Sequence, residues 1–526
     1  MLDSSFLQVG SRRQFFFDNL LIESAQDLTR RHHAPTRVGD QPVIEKDRPW
    51  EKTLYFSCNT WNVIRDPADG LFKCWYENWS LQDAHKLPAH FRESDGKIAI
   101  DVHGAAPSCV CFAQSTDGIH WDKPPLDVVT VDGADTNIVL GHGACTQQAH
   151  CATVFDDVLD SDPARRFKAM FMCDIEDIIE GTTGTAYFAV ATSPDGIHWQ
   201  LMDEQPVFGA TERSLGDVVT VTPDPDSRTY WLNNRHPDMC TAPSDPACPP
   251  TKSWISPYAP ENFARQNKRR VFRSTSSDLI HWSHPHPLIM PDDAHDNLDD
   301  CFYGMEQVRI GDDWLGFLNV LHMTDNTMEV QLVYSRDGCN FQRIRPGRPW
   351  LTTGTPGAWD ANMVSVCSKP VLVGDELYIY HGGTAQHHDW WMVGPAEGLD
   401  HPETRDTSKV RFGLGLAKIK RDRFVSLDTG PVREGVLITH PIRTRGENLR
   451  INAACRAGGS IRAEISDPAG NVIEGFQKDQ SIPFDGDDVD HTMQWQSNTP
   501  IPSGTFLRLR LYLWNAEVFS IQFIDA

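Results

Sequence analysis

The sequence predicts an all-β protein: a five-bladed β-propeller followed by a C-terminal β-sandwich. Three observations predict it. A Ser-x-Asp-Gly-x-x-aromatic box recurs along the first four-fifths of the chain, and two further strand-like segments precede each box. Helical 3.6-residue periodicity is nearly absent.

The first box is FAQSTDGIHW, with Ser115, Asp117, Gly118 and Trp121. The second is VATSPDGIHW, with Ser193, Asp195, Gly196 and Trp199. The third is VFRSTSSDLIHW, where Leu279 replaces the glycine between Asp278 and Trp282. The fourth is LVYSRDGCNF, with Ser335, Asp337, Gly338 and Phe341. A degenerate fifth, LGLAKIKRDRFVSL, keeps Asp422 and Phe424. In each copy an alternating strand enters, Asp-Gly makes a tight turn and the aromatic opens the return strand. Glycine supplies the positive φ, and the Ser and Asp side chains cap the turn backbone. The aromatic is expected between adjacent sheets.

The segments ahead of the boxes supply the inner strands. They are YFSCNTWNVI and LFKCWYENW for the first blade, CATVF and RFKAMFMC for the second, and DVVTVT and TYWLNN for the third. GMEQVRI and WLGFLNVL serve the fourth, MVSVCSKPVLV and ELYIYHGG the fifth. Five groups of four antiparallel strands make a five-bladed propeller. After Leu427 the pattern changes to short alternating strands such as SIRAEISD and LRLRLYLW, which read as a sandwich. The expected division is a propeller at 1–435, carrying the catalytic site, and a sandwich at 436–526.

Composition bounds the function. Lys and Arg total 48 against 72 Asp and Glu, a net charge of -24. That field repels phosphate, so nucleic acid and anionic membrane surfaces are not expected partners. The 13 cysteines are odd in number and scattered, with no CxxC pair, which reads as reduced thiols rather than a disulfide frame or a zinc site. No apolar run approaches the ~20 residues of a membrane span. The opening MLDSSFLQVGSRRQFFFDNLLIES is broken by Arg12, Arg13, Asp18 and Asn19 and does not read as a signal peptide. The chain as given reads as cytoplasmic, or as secreted or periplasmic where a signal peptide has been trimmed. Homo-oligomerisation is left open. No phosphate-binding loop, dinucleotide fingerprint or nucleophile elbow occurs; FGLGLA (412–417) is strand-like. No redox cofactor is expected. A structural metal ion in the propeller channel is allowed.

Five blades, a C-terminal sandwich and these boxes together resemble glycoside hydrolase families 32 and 43. The resemblance covers nearly the whole chain at the level of architecture. It implies cleavage of a terminal or short-chain glycosidic bond by paired carboxylates. The Trp-Met-Asn-Asp-Pro-Asn-Gly stretch of family 32 is missing. Arg65-Asp66-Pro67 is similar to that family's second motif, but it leads into Ala68-Asp69-Gly70, where a hairpin turn explains it. Glu306 is followed by Gln307 and not by the cysteine typical of the family 32 acid.

In a propeller, ligands bind at one mouth of the channel lined by the innermost strands. The polar residues opening those strands are therefore the candidates. Glu51, Asp217, Glu306 and Asp360 place a carboxylate at the start of four innermost strands, and glycoside hydrolysis needs two. Glu306, among apolar neighbours, is the expected general acid; Asp217 is the expected base, nucleophile or charge stabiliser. Asp299 and Asp300 are weaker candidates in the loop DNLDD. His150, Arg235, His322, His381, Gln147 and Gln148 are expected to bond sugar hydroxyls or an anionic group. Trp50, Trp359, Trp390 and Trp391 are expected to offer stacking faces or to pack between blades. His387-His388-Asp389 lacks a spacing that brings both imidazoles to one ion. A glycoside phosphorylase, with one carboxylate and a basic phosphate pocket, and a non-catalytic carbohydrate-binding propeller are the alternatives.

Overall fold

The computed structural model describes residues 7–525 apart from 58, 81–90, 95–96, 101–107, 174–186, 206–216, 237–268, 293, 389 and 394–399. The chain is an all-β propeller with a second β body.

The propeller strands form three antiparallel sheets and a nine-stranded sheet in which one parallel pairing, Met328 with Met363, joins two further antiparallel groups. The first blade runs from Trp61–Arg65 through Phe72–Trp79 and Ser108–Ser115 to Ile138–Leu140. The second is His150–Asp156, Phe167–Cys173, Tyr187–Ser193 and Gln200–Leu201; the third is Val219–Asp224, Thr229–His236, Arg270–Ser276 and His286–Ile289. The fourth is Asp300–Ile310, Asp313–His322, Thr327–Ser335 and Gln342–Arg343. The fifth pairs Met363–Ser365 and Val371–Val373 with Glu376–Thr384, then Phe412–Lys420. Its outermost strand is Thr36–Arg37, from the other end of the chain.

Buried polar side chains close these blades into a ring. Asn62 Oδ1 accepts from Val154 N at 2.6 Å, tying the first blade to the second. Tyr230 donates to Asp157 at 2.8 Å, and Thr220 donates to the Met305 carbonyl at 3.0 Å. Asn319 Oδ1 accepts from Val366 N at 2.9 Å, and Ser368 Oγ accepts from Val63 N at 2.9 Å, which completes the circle. Each bond satisfies a backbone or side-chain group that burial has cut off from water.

The boxes adopt one turn. Ser115 Oγ accepts from Gly118 N at 2.9 Å, and Asp117 Oδ1 accepts from Ile119 N and His120 N at 2.8 Å. The bonds recur around Ser193 and Asp195, and around Ser276 and Asp278. Gly118, Gly196 and Gly338 lie at φ 76°, 80° and 72°. The turn also receives the preceding blade: Trp75 Nε1 donates to the Gly196 carbonyl at 2.6 Å, and Tyr380 Oη to the Gly118 carbonyl at 2.7 Å. In the third copy, Leu279 still adopts φ 70°. There the preceding blade offers Met170 at the register position where Trp75 sits in the first blade. Leu279 and Met170 share one apolar cluster, so a Leu side chain fills space that an indole fills elsewhere.

Two expected inner strands are interrupted. Residues 55–57 and 59–60 lie outside any strand before Trp61, with Asn59 at φ 61° and Thr60 Oγ1 bonded to the Tyr55 carbonyl. Residues 366–370 break the fifth, where Pro370 has no N–H for a ladder.

The second body is one continuous network of ten strands. Its frame is the pair Asn448–Ser466 and Phe506–Ile524, nineteen residues each. Alternate residues Leu449, Ile451, Ile461, Ile465, Leu507, Leu509, Leu511 and Leu513 turn into one core with Phe476, Phe484 and Trp495. The N-terminal strands, expected in the propeller, join this body. Leu7–Gly10 pairs with Ile442–Thr444, Gln14–Phe15 with Phe506–Ile524, and Ile22–Gln26 with Gly435–Thr439. Thr29–His32 pairs with Val425–Thr429. The division at 435 is thus crossed by the start of the chain. The reason is burial: Val9, Phe16 and Leu21 complete the second core.

Candidate active site at the channel mouth

The innermost strands begin at one mouth. Asn59 Nδ2 donates to the carbonyls of Cys151 at 3.4 Å and Asp217 at 3.2 Å, drawing three blades together there. A Cβ on Gly304 would meet Val218 at 2.8 Å, which sets the fourth blade against the third.

Asp217 is at the centre. Its carboxylate forms an ion pair with Arg235, and its side chain keeps 28% exposure against 9% for Arg235. The Arg235 guanidinium stands 4.3 Å from the Tyr303 ring centroid, and that of Arg269 stands 4.8 Å from the same ring. Burial opposes the Arg235 charge, but Asp217 and Tyr303 more than restore it. Tyr55 lies in the same field; its hydroxyl pKa is pushed far up, first by burial and then by Tyr303, Cys151 and Asp217.

His150 opens the second blade. Its Nδ1–H donates to Glu77 Oε1 at 2.5 Å, and its Nε2 lies 3.1 Å from Cys151 Sγ. Glu77 also accepts from Ser108 Oγ at 2.6 Å and Cys151 N at 3.0 Å. Burial works against the imidazolium, but Glu77 and then Asp217 outweigh it, so the His150 pKa is raised. Cys151 holds φ 53° at a bulge in its strand, a strained backbone of the kind found at functional sites.

Aromatic faces surround this polar centre. Trp79 lies 4.8 Å from the His150 ring, 4.9 Å from Tyr55 and 5.7 Å from Trp391. Tyr303 meets His388 edge-on at 4.6 Å, and Tyr55 meets Phe412 at 5.0 Å. All five blades contribute to the mouth.

Of the expected residues, the structure gathers Asp217, Arg235 and His150. It leaves the other carboxylates elsewhere. Glu51 is 1% exposed and holds Lys123 Nζ at 2.7 Å, Tyr76 Oη at 2.9 Å and two backbone N–H groups. Asp360 accepts from Arg37 at 3.0 Å and fastens the closing strand to the fifth blade. Asp299 accepts from Thr324 N at 3.0 Å; Asp300 holds His322 at 2.7 Å, and with Glu329 it pushes the His322 pKa up to about 10 against the cost of burial.

Glu306 lies three residues beyond Tyr303 on its strand, about 10 Å deeper at the rise of a β-strand. Gln307 turns to the third blade, bonding Arg273 at 2.5 Å, so Glu306 faces the other way. Burial lifts its pKa to about 7, with Lys369 of the fifth blade opposing the rise. Lys369 lines a cavity of about 520 Å³ with Arg65 and Asp66. Asp66 holds Lys73 at 2.5 Å and Arg166 at 2.7 Å and caps its own turn, as a hairpin requires.

Trp50, Gln147 and Gln148 line a cavity of about 650 Å³ beside the mouth, together with Asn78 and Ser108. Trp359 stacks on the buried His381 at 5.7 Å. Trp390 stacks on His387 at 3.8 Å.

Glu77 and Arg269 were absent from the expected site. Glu77 sits on a second strand, whereas the search along the sequence followed the innermost strands. Its signal was an acidic residue inside the aromatic-rich run FKCWYENW. Two donor sets suit a divalent cation by residue type: Glu77, His150 and Cys151, and His387, His401 and Glu403, each within 4.8 Å. In the second set His387 is joined by His401, not by His388; Asp389 lies outside the described residues.

The chain matches no protein-family model and no curated protein. Among solved structures it is similar to a β-1,2-mannobiose phosphorylase from Listeria innocua at 13% identity, covering 74% of this chain and 97% of that one with a TM-score of 0.46. An N-acetylgalactosamine deacetylase from F. plautii is similar at 13% identity, 76% and 97% coverage and a TM-score of 0.43. The catalytic domain of the Coprinopsis cinerea GH62 α-L-arabinofuranosidase is similar at 11% identity, 73% and 97% coverage and a TM-score of 0.41.

Proposed function

We propose that this chain is a glycoside hydrolase that holds a sugar at the five-blade mouth and acts on it with Asp217 and His150. The observation that carries the reading is Asp217 itself. It is the one carboxylate of the four first expected that stays at the mouth, part-exposed, among aromatic faces and hydrogen-bonding groups of all five blades. Such a mixture suits a sugar, whose C–H faces stack on rings while its hydroxyls need placed polar partners.

In this reading the charged His150 ring gives a proton to the departing glycosidic oxygen. Asp217 serves as base toward water, or as nucleophile, at the anomeric carbon. Glu77 orients His150 and sustains its charge.

The test is Asp217→Asn assayed on a panel of aryl glycosides and oligosaccharides. Loss of an acid–base group costs about 10²–10⁴-fold in kcat, and that loss is expected with the circular dichroism spectrum retained. Full activity would sink the reading. Activity is also expected to fall as pH rises through the raised His150 pKa, because the proton donor is then lost. Turnover that requires inorganic phosphate would replace hydrolysis with phosphorolysis.

A further inference from the structure

We propose that the mouth carries a subsite for a monoanionic group on the substrate, so that the sugar taken is acidic, bearing a carboxylate or a sulfate ester. The inference rests on the mouth being where a sugar binds.

Arg235 is 7% exposed, and its Nε and Nη1 have no hydrogen-bond partner among the described residues. The buried Nη1 of Arg269 has none either. Elsewhere among the described residues, the buried arginine nitrogens without a partner are all Nε, at Arg343, Arg421, Arg450 and Arg510. A terminal guanidinium nitrogen is left unmet only at these two, and both stand over the Tyr303 ring. Arg273 is the contrast: buried as deeply, it spends its donors on Asn233 at 2.7 Å, Gly338 at 2.9 Å and Gln307 at 2.5 Å.

A buried donor without an acceptor costs about 1–3 kcal/mol, more when charged, and folded proteins keep few of them. An oxyanion supplies the missing acceptors, and the guanidinium fork matches it in two-point contact. Charge selects its kind. The two guanidiniums lie within about 9 Å of each other, and Asp217 offsets one of them. One positive charge remains, which a carboxylate or sulfate ester balances. A phosphate carries about −1.5 to −2 at neutral pH and would crowd Asp217 with excess negative charge.

The experiment is calorimetric titration of the full chain with glucuronate, galacturonate and galactose 6-sulfate, against glucose, galactose and inorganic phosphate. At least one acidic sugar is expected to bind ten-fold or more tightly than its neutral counterpart, with the uronate and sulfate arms telling which group is preferred. Arg269→Gln, at a half-buried position, is expected to bring the affinity for the acidic sugar down to that for its neutral counterpart; Arg235→Lys, which keeps the charge, is expected to weaken the preference. Equal binding of acidic and neutral sugars, or an unchanged preference in Arg269→Gln, would overturn the subsite. Phosphate binding without acidic-sugar binding would overturn it too. Tight acidic-sugar binding without cleavage keeps the subsite and removes the hydrolase, whereas cleavage of neutral glycosides alone does the reverse.

Discussion

Glu306 is 4% exposed, and its backbone neighbour Gln307 N donates to it at 3.1 Å. A carboxyl so placed is easier to keep neutral than charged, which is why its pKa rises to about 7. The folded state therefore binds a proton that the unfolded state releases near the usual carboxylate range. Stability from this group is full at low pH and is lost as pH rises toward 7, by roughly 3 kcal/mol at most. Thermal melting from pH 5 to 8 should show this as a fall in the wild type that is shallower in Glu306→Gln. Parallel curves would mean that Glu306 does not titrate in that window. Asp217 and Glu306 looked alike in sequence, each opening or lying within an inner strand. Depth along the strand and the face the side chain takes separate them, and neither follows from local residue type.

The box turn shows what was legible at the level of the element. Ser, Asp and Gly at fixed spacing dictate the turn because the side-chain oxygens and the positive φ are local requirements. Hence the boxes and most of the strands ahead of them could be placed from sequence. Contacts between blades could not: that Trp75 reaches Gly196, or Tyr380 reaches Gly118, depends on the ring closing. Gly196 has two reasons to be glycine, its φ of 80° and the Trp75 indole lying where a Cβ would go. Gly70 has only the first, at φ 77° with nothing within 4 Å. Gly70→Ala is expected to cost about 1 kcal/mol and Gly196→Ala about 3 kcal/mol or more, since a clash adds to the strain. Denaturant midpoints of the two variants check this, and equal losses would remove the packing role of the Gly196 turn.

Across the whole molecule, the two bodies are sewn together. Arg423 is 7% exposed and bonds Asn452 at 2.9 Å and the Ala453 carbonyl at 3.1 Å, while Arg13 holds Asp422 at 3.2 Å and pairs with Asp490. The change of pattern after Leu427 revealed that a second body exists. The return of residues 7–32 to it was hidden, because strand pairing across some four hundred residues or more leaves no local mark. A fragment of residues 436–526 lacks Val9, Phe16 and Leu21 from its core. It is expected to show no cooperative thermal transition alone, and to gain one when a peptide of residues 7–32 is added. A sharp transition in the fragment by itself would show that the N-terminal strands are dispensable.

The Leu7–Ile442 and Gln14–Ile521 pairings also impose an order on biogenesis. These strands leave the ribosome long before the ones they pair with. Meanwhile Phe16, buried in the second core of the finished protein, has no partner to cover it, whereas Phe15 and Phe17 need only the earlier-made Ile310, Phe317 and Tyr334. At about 5–20 residues per second, that wait lasts on the order of half a minute or more. Newly made chains thus pass through an interval in which a sticky N-terminal segment must be shielded, and yield on expression should depend on chaperone supply more than on the stability of the completed fold.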